Sequence, residues 1–379
     1  MPLPLYLLAV AIFAMGTSEF MLGGITPRIA ESLDVSLGTA GLLTSAFAVG
    51  MVVGAPAAAI LVRRWAPRWS LLAFLAAFAT SHVAAALTDR FMVLLAMRVL
   101  SAVANAGFLA VALATATALV GRDRAGRALS VLLSGTTLAT IVGVPAGSLL
   151  GNAMGWRATF WAVASLCVIA GVGIALRFPA MPASGNGRSD IRGELCGLRR
   201  STLLLMMTLG ALVNAATFGS FTFLASLVTG RASLTAGWVP FALVIFGVGS
   251  FVGVTVAGRL SDRHPRFLIL IGMPLLAIGW AVVAMSASDP GWLFPMLFLQ
   301  GALAFGVGST LIARVLHEAV GAPTLGGSYA TVAFNVGAAA GPLLGGVAVE
   351  SSLGSLGPPA ISSGLTVVAT ALAVIRMRL

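Results

Sequence analysis

Long apolar stretches alternate along the chain with short segments that carry charge, proline or glycine. Each stretch is about as long as the roughly 20 residues that a membrane-spanning helix needs. The pattern predicts helices over residues 5–25, 40–62, 70–88, 91–120, 127–151, 157–176, 201–229, 236–258, 267–287, 291–313, 326–349 and 356–375. We therefore predict an all-α integral membrane protein with twelve transmembrane helices.

The most polar connection runs from Arg177 to Arg200 and is rich in proline and glycine, as a linker would be. It predicts a bundle of six helices over 1–177, a cytoplasmic linker over 178–200, and a second bundle of six over 201–379. The sequences of the two halves also match when the chain is compared with itself at a constant offset in residue number. This offset pairs Arg64 with Arg263, Gly107 with Gly306 and Gly147 with Gly346. Duplication into two pseudo-symmetric bundles is typical of transporters that hold their substrate near the membrane midplane.

Composition supports a membrane protein, because 59% of the residues are hydrophobic and only 9% are charged. The net charge of +11 comes with 22 basic residues, all arginine. With a cytoplasmic N-terminus, the predicted outer loops hold only Arg28, Arg90, Arg157 and Arg231. This asymmetry follows the positive-inside rule, predicts that both termini lie in the cytoplasm, and argues against nucleic-acid binding.

Enzymatic chemistry is not indicated by the polar residues. The chain contains no lysine, so the usual nucleotide-binding P-loop is absent, and its three histidines are scattered. No metal or cofactor is expected. An ion gradient remains as the source of energy for any active transport.

Two charged residues lie inside predicted helices, away from the helix ends. Glu19 lies in the first helix, where an acid at bilayer depth costs about 2.5–3.5 kcal/mol and usually serves an ion path or proton relay. Arg98 lies in the fourth helix, with Asn105 on nearly the same face. We predict that Glu19 carries a proton and that Arg98 assists it. The alternatives are a structural hydrogen bond for Glu19 and an arginine that reaches water for Arg98.

The loop between the eighth and ninth helices resembles the G-x-L-x-D-R-x-x-R motif of the major facilitator superfamily. Its residues are Gly258, Asp262, Arg263 and Arg266. In the first half Ala59 replaces the glycine and Arg63 the acid. The resemblance implies a cytoplasmic gate at the intact copy; a simple positive-inside loop is the alternative.

Two further motifs make the chain similar to the drug:proton antiporters of that superfamily. Arg98 and Ala102 resemble an R-x-x-x-G motif, whose arginine is associated with proton coupling. Gly143-Val-Pro145-Ala-Gly147 in the fifth helix, preceded by Gly135, resembles the antiporter signature. On packing grounds alone these small residues would indicate only closely approaching helices.

Local strings over residues 16–22, 40–50, 105–112 and 155–161 resemble the chloramphenicol-resistance exporters of actinobacteria. The resemblance implies proton-driven efflux of chloramphenicol or a related phenicol across the bacterial plasma membrane. A monomer is expected, because one chain supplies both halves. Amide, aromatic and flexible apolar side chains suit a neutral or amphiphilic drug. The candidate cavity residues are Met15, Asn105, Asn214, Phe218, Phe221 and Asn335.

Two other functions remain open at this point. One is an efflux permease for a sugar or metabolite, since sugar-efflux relatives share parts of the same strings. The other is a membrane receptor or scaffold that transports nothing. The two charges inside the membrane favour transport, because they are expensive to keep for scaffolding alone.

Overall fold

A computed structural model describes residues 2–61, 65–120, 124–179, 181, 200–260, 264–319, 322 and 325–377. Among these residues the regular secondary structure is helical, without a strand. The helices are α1 (Leu3–Phe20), α2 (Leu22–Ser32), α3 (Leu37–Leu61), α4 (Pro67–Leu87), α5 (Phe91–Val120), α6 (Ala125–Leu138), α7 (Val144–Met154), α8 (Trp156–Arg177), α9 (Ser201–Phe221), α10 (Leu224–Ser226), α11 (Trp238–Leu260), α12 (Pro265–Ser286), α13 (Pro290–Glu318), α14 (Gly326–Glu350) and α15 (Gly357–Met377).

The described part of the chain contains 12 helical segments that are long and apolar enough to cross a membrane. This confirms the predicted all-α fold and the predicted number of spans. Two π-helical segments, Ala139–Gly143 and Leu227–Arg231, and a 3-10 turn, Gly354–Leu356, complete the regular elements described.

The first predicted span does not end at residue 25, because the chain continues helically to Ser32 after a short interruption at Met21. The Met21 N–H still donates to the Thr17 carbonyl at 2.9 Å, so the helical path is only locally disturbed. Within α2, Pro27 lacks the N–H that would bond to the carbonyl of Gly23. The first predicted helix is therefore two helices in succession.

The seventh predicted span, 201–229, is also interrupted. Helix α9 ends at Phe221, and the backbone leaves the helical region at Phe223 (φ −106°, ψ 15°). The Phe223 ring is 2% exposed, and a Cβ on Gly41 or Gly345 would lie 2.6 or 2.9 Å from it. The ring fills the space that two glycines leave, so tertiary packing overrides the apolar pattern that predicts one helix.

The fifth predicted span, 127–151, contains α6, a π-helical segment and α7. The π segment ends at Gly143, two residues before Pro145. Proline cannot donate to the carbonyl four residues earlier and clashes with it, and a wider turn relieves that clash. The irregularity therefore follows from the proline of the predicted antiporter motif.

Glycines of this segment allow α1 to lie against its backbone. A Cβ on Gly135 would overlap the carbonyl oxygen of Ala9, and one on Gly143 would overlap the hydroxyl of Thr17. At Gly147 the nearest atom, the Thr159 methyl, would lie 3.1 Å away. Small residues at such crossings let helix backbones approach closely. The antiporter role implied by the motif stays a prediction.

The Cα positions cluster into two compact units. The first consists of Met1–Leu22 and Ala46–Ser189, and the second of Gly23–Ser45 and Asp190–Leu379. The second unit thus includes α2 and the first turns of α3. Most of the predicted linker 178–200 lies outside the described residues, and the predicted division of the chain at that linker stays a prediction.

Glycine contacts also join helices within the second unit. Cβ atoms on Gly337 and Gly341 of α14 would overlap the α9 carbonyl oxygens of Ala211 and Ala215. The same arrangement recurs where Gly253 of α11 meets the Ala302 carbonyl of α13. These helices touch through their backbones, so an added methyl group has no space to occupy.

We expect Gly341→Ala to destabilise the protein, because its methyl group would overlap a backbone oxygen that cannot move without separating α9 from α14. Overpacking of this kind costs about 1–3 kcal/mol. Thermal unfolding of the purified protein in detergent would measure the loss. Gly364→Ala in α15 is the matched control, because a Cβ there meets nothing within 4 Å. Equal melting temperatures for the two variants would contradict the packing argument.

Candidate functional site

The described part of the first unit buries a group of polar side chains around Arg98. Ser18 is fully buried, and His82, Arg98 and Asn105 are each 1% exposed. An arginine at this depth is stable only when its charge is compensated and its N–H groups have acceptors. The surroundings of Arg98 therefore decide what this group of residues can do.

Arg98 projects from α5 toward α1 and α3. Its Nη1 donates to the Ser18 carbonyl oxygen at 3.2 Å and lies 2.9 Å from the Ser18 hydroxyl oxygen. Its guanidinium carbon lies 4.4 Å from the centre of the Phe47 ring. A desolvated cation over an aromatic face is stabilised by about 2 kcal/mol or more. Arg98 is thus held by α1 on one side and by an aromatic face of α3 on another.

Glu19 joins the same group. Its carboxyl group interacts electrostatically with Arg98 and hydrogen-bonds to the side chain of Asn105. The Asn105 amide nitrogen also lies 3.6 Å from the Met51 sulfur. Glu19 is only partly buried, unlike its neighbours. The structure therefore brings together three residues selected from the sequence, and their roles in proton coupling stay predictions.

His82 of α4 extends this network through Ser18. Its Nδ1 lies 2.8 Å from the Phe78 carbonyl oxygen, and its Nε2 lies 2.6 Å from the Ser18 hydroxyl. A carbonyl only accepts, so Nδ1 carries the proton. In the neutral ring Nε2 then accepts from Ser18, which leaves the Ser18 oxygen to accept from Arg98. The donors run in one direction, from Arg98 through Ser18 and His82 to Phe78.

Aromatic rings fix the orientation of His82. Phe78 stacks on the imidazole with ring centres 4.3 Å apart, and Phe160 lies 5.6 Å away. Neither Ser18 nor His82 was predicted from the sequence to belong to the site. The available signals were the position of Ser18 beside Glu19 and a histidine inside the apolar third span.

The other predicted cavity residues lie in different surroundings. Met15 of α1 is 1% exposed. In the second unit, Asn214 donates to the Phe334 carbonyl at 2.7 Å, and Asn335 donates to the Thr331 carbonyl of its own helix at 2.9 Å. Phe218 and Phe221 are each 8% exposed, with ring centres 6.4 Å apart. Their contact with a substrate stays a prediction.

The predicted cytoplasmic gate is described only in part. Gly258 lies near the end of α11, and a Cβ there would meet nothing within 4 Å. Arg266 is exposed in the first turn of α12. Asp262 and Arg263 lie outside the described residues, so the gate stays a prediction.

Comparison with known proteins gives consistent results. The sequence model of the Major Facilitator Superfamily matches residues 8–242 and 207–378. The chain is 59% identical over 371 residues to the "Chloramphenicol resistance protein" of Streptomyces lividans, covering 97% of this chain and 95% of that protein. It is 34% identical over 357 residues to the inner membrane transport protein YdhP of Escherichia coli K12, covering 93% and 90%.

Solved structures share the fold at low sequence identity. A bacterial homologue of the human lysosomal transporter Spinster, in an inward-facing and occupied conformation, matches with a TM-score of 0.80 at 16% identity, covering 99% of this chain and 96% of that one. The nucleoside transporter NupG matches with a TM-score of 0.80 at 13% identity over 100% of both chains. The family match, the two relatives and the twelve spans agree: this multi-pass membrane protein belongs to the major facilitator superfamily of transporters and is not an enzyme.

Proposed function

We propose that this protein exports a small neutral or amphiphilic drug, chloramphenicol or a related phenicol, in exchange for protons. The observation that carries the substrate assignment is the 59% identity, over 97% of the chain, to the Streptomyces protein named for chloramphenicol resistance. The site around Glu19 and Arg98 supports the proton coupling, because it holds a carboxyl group, which can take up and release a proton, next to a fixed cation.

Glu19 is the proposed proton carrier. When the carboxyl group is ionised, the Arg98 charge attracts it and the Asn105 side chain hydrogen-bonds to it. When a proton binds to a carboxyl oxygen, that attraction is lost, while Ser18 and Phe47 still hold Arg98 in place. The group thus has two arrangements that differ by one proton, as coupled transport requires.

The membrane gradient supplies the energy. A proton that enters from outside and leaves inside contributes about 2.3 kcal/mol per 100 mV, before any difference in pH is counted. Protonation removes the negative charge from Glu19 and so weakens its attraction to Arg98 of α5. Release of the proton restores the charge and the attraction. Downhill proton movement is thereby coupled to a change in the contacts of α1.

For the drug, the proposed contacts are aromatic and amide groups. Phe221 lies between Phe218 and Phe246, with ring centres 6.4 and 5.1 Å apart, and this aromatic group suits a flat ring. Asn214 and Asn335 supply amides for orientation in the same unit. A neutral aromatic molecule fits such a lining better than a polyanion.

We propose that the protein lies in the bacterial plasma membrane with both termini in the cytoplasm, and the arginine asymmetry of the sequence supports this orientation. In this orientation the turn between α2 and α3 lies outside. A monomer suffices, because a single chain supplies all twelve spans.

Alternating access requires contacts that can be released on the outer side, and Glu350 provides them. Its carboxylate accepts from the Gly38 N–H at 3.1 Å and from the Ser36 hydroxyl. It therefore joins the end of α14 to the start of α3, where the helix dipole favours a negative charge. We propose that outward opening separates these two helix ends.

The proton hypothesis predicts that Glu19→Gln abolishes export, because the amide cannot take up or release a proton at this position. Retention of radiolabelled chloramphenicol in energised cells measures this. We expect low retention with the wild type, and retention equal to that of empty cells with Glu19→Gln or with a protonophore. Glu31→Gln is the control, because Glu31 is exposed on α2. Membrane abundance of all variants must be equal.

Other outcomes separate the parts of this proposal. If the wild type retains as much drug as empty cells, the phenicol assignment is wrong, and sugars and metabolites are tested next. If Glu19→Gln exports as well as the wild type, Glu19 does not carry the coupled proton. If no substrate moves at all, a receptor or scaffold becomes the better explanation.

The contact between Glu350 and the start of α3 predicts that Glu350→Ala speeds hydrogen exchange at the first turn of α3, since the Gly38 N–H loses its charged acceptor. A hydrogen bond to a charged group is worth about 1.5–3 kcal/mol, so exchange should rise at least about ten-fold. Mass spectrometry of peptides that cover residues 36–41 would detect the change. Glu318→Ala removes a carboxylate bound to Arg314 instead and should leave these peptides unchanged.

A further inference from the structure

A cavity of about 580 Å³ lies where four helices of the second unit end together. Helices α9 and α12 begin there, and α13 and α15 approach their last turns. The polar part of its lining consists of Ser201, Thr202, Thr208, Arg266, Arg314 and Arg376. None of the residues placed in the proton or drug site belongs to it.

The described lining of the cavity is positively charged. Its described lining includes three arginines and no acidic side chain. Arg314 bonds to Glu318 on its own helix at 2.9 Å, which compensates one of the three charges. Arg266 and Arg376 are exposed, so their guanidinium groups are accessible to a ligand. An anion with several oxygen acceptors is the chemistry that this arrangement recognises.

Two helix N-termini add to the positive potential. Neither α9 nor α12 has a side-chain hydrogen bond at its N-cap residue, Arg200 and His264 respectively. The first N–H groups of a helix lack partners within it and favour a bound phosphate. The hydroxyl groups of Ser201 and Thr202 lie in the first turn of α9 and supply further donors.

The remaining wall of the cavity is apolar. Leu204, Leu205, Met206 and Leu372 line it beside the charged groups. Leu204 is 46% exposed on a membrane-spanning helix, so its free surface is of the kind that lipid covers. A soluble phosphate would use the arginines and leave this wall without a partner.

We propose that this cavity binds an anionic phospholipid. The phosphate lies against Arg266, Arg376 and the start of α9, and an acyl chain runs along Leu204 and Leu372. A basic pocket between membrane helices is a known form of headgroup recognition. The assignment does not depend on the drug or proton proposals.

Native mass spectrometry of the purified full-length protein can test this. The protein is incubated with equal amounts of phosphatidylglycerol and phosphatidylcholine, and the ratio of the two bound lipids is measured. We expect the wild type to retain phosphatidylglycerol. Each basic side chain near a headgroup changes binding by about five-fold, so Arg266→Gln with Arg376→Gln should lower the ratio by about 25-fold. Arg376→Gln alone gives a milder variant in case the double variant fails to fold.

Arg259→Gln is the matched control, because Arg259 is exposed in the last turn of α11 but does not line the cavity. It should keep the wild-type ratio. An unchanged ratio in the double variant, with a lower melting temperature, would mean that these arginines only stabilise helix ends. That result, or a wild type without preference, would overturn the proposal.

A second arm separates lipid from a free anion. Inorganic phosphate is added at millimolar concentration before the lipids. If it displaces phosphatidylglycerol and raises the melting temperature as much as that lipid does, the cavity takes soluble phosphate and the lipid assignment is wrong. If the lipid ratio persists, the acyl chain and headgroup act together as proposed.

Discussion

The burial of one guanidinium group governs the arrangement of the first unit. Arg98 is 1% exposed in a span that crosses an apolar medium, and an uncompensated charge there would cost several kcal/mol. Ser18 supplies acceptors, Phe47 an aromatic face and Glu19 the opposite charge. Helices α1, α3 and α5 meet at this point, and the contacts that compensate the arginine also position the proposed proton carrier.

Glycine residues let the helices that carry such a site approach each other closely. Lipid provides no hydrophobic force that drives two apolar helices together, so close backbone contact has to replace it. Gly135 and Gly143 bring the α6–α7 segment onto α1, which carries Ser18 and Glu19. Gly337 and Gly341 do the same for α14 and α9. The residues with no side chain therefore set where the charged side chains lie.

Hydropathy predicted the twelve spans because the bilayer imposes length and polarity on each segment separately. Helix periodicity also placed Arg98 and Asn105 on one face, and a shared face is a local property. The break at Phe223 could not be predicted, since it depends on Gly41 and Gly345, which are distant in the chain. For the same reason the partnership of Ser18 with His82 was missed: it requires knowing which helices touch.

The direction of the hydrogen bonds around His82 has one more consequence. The series ends at the Phe78 carbonyl, which has no hydrogen to pass on, and it begins at an arginine that keeps its protons. A proton passed from Ser18 to Nε2 of His82 would go no further, because the Nδ1–H of His82 faces only that carbonyl oxygen. The hydrogen-bond series is therefore closed on that side, and among the titratable side chains described in this group, Glu19, His82 and Arg98, Glu19 is the one that is partly exposed.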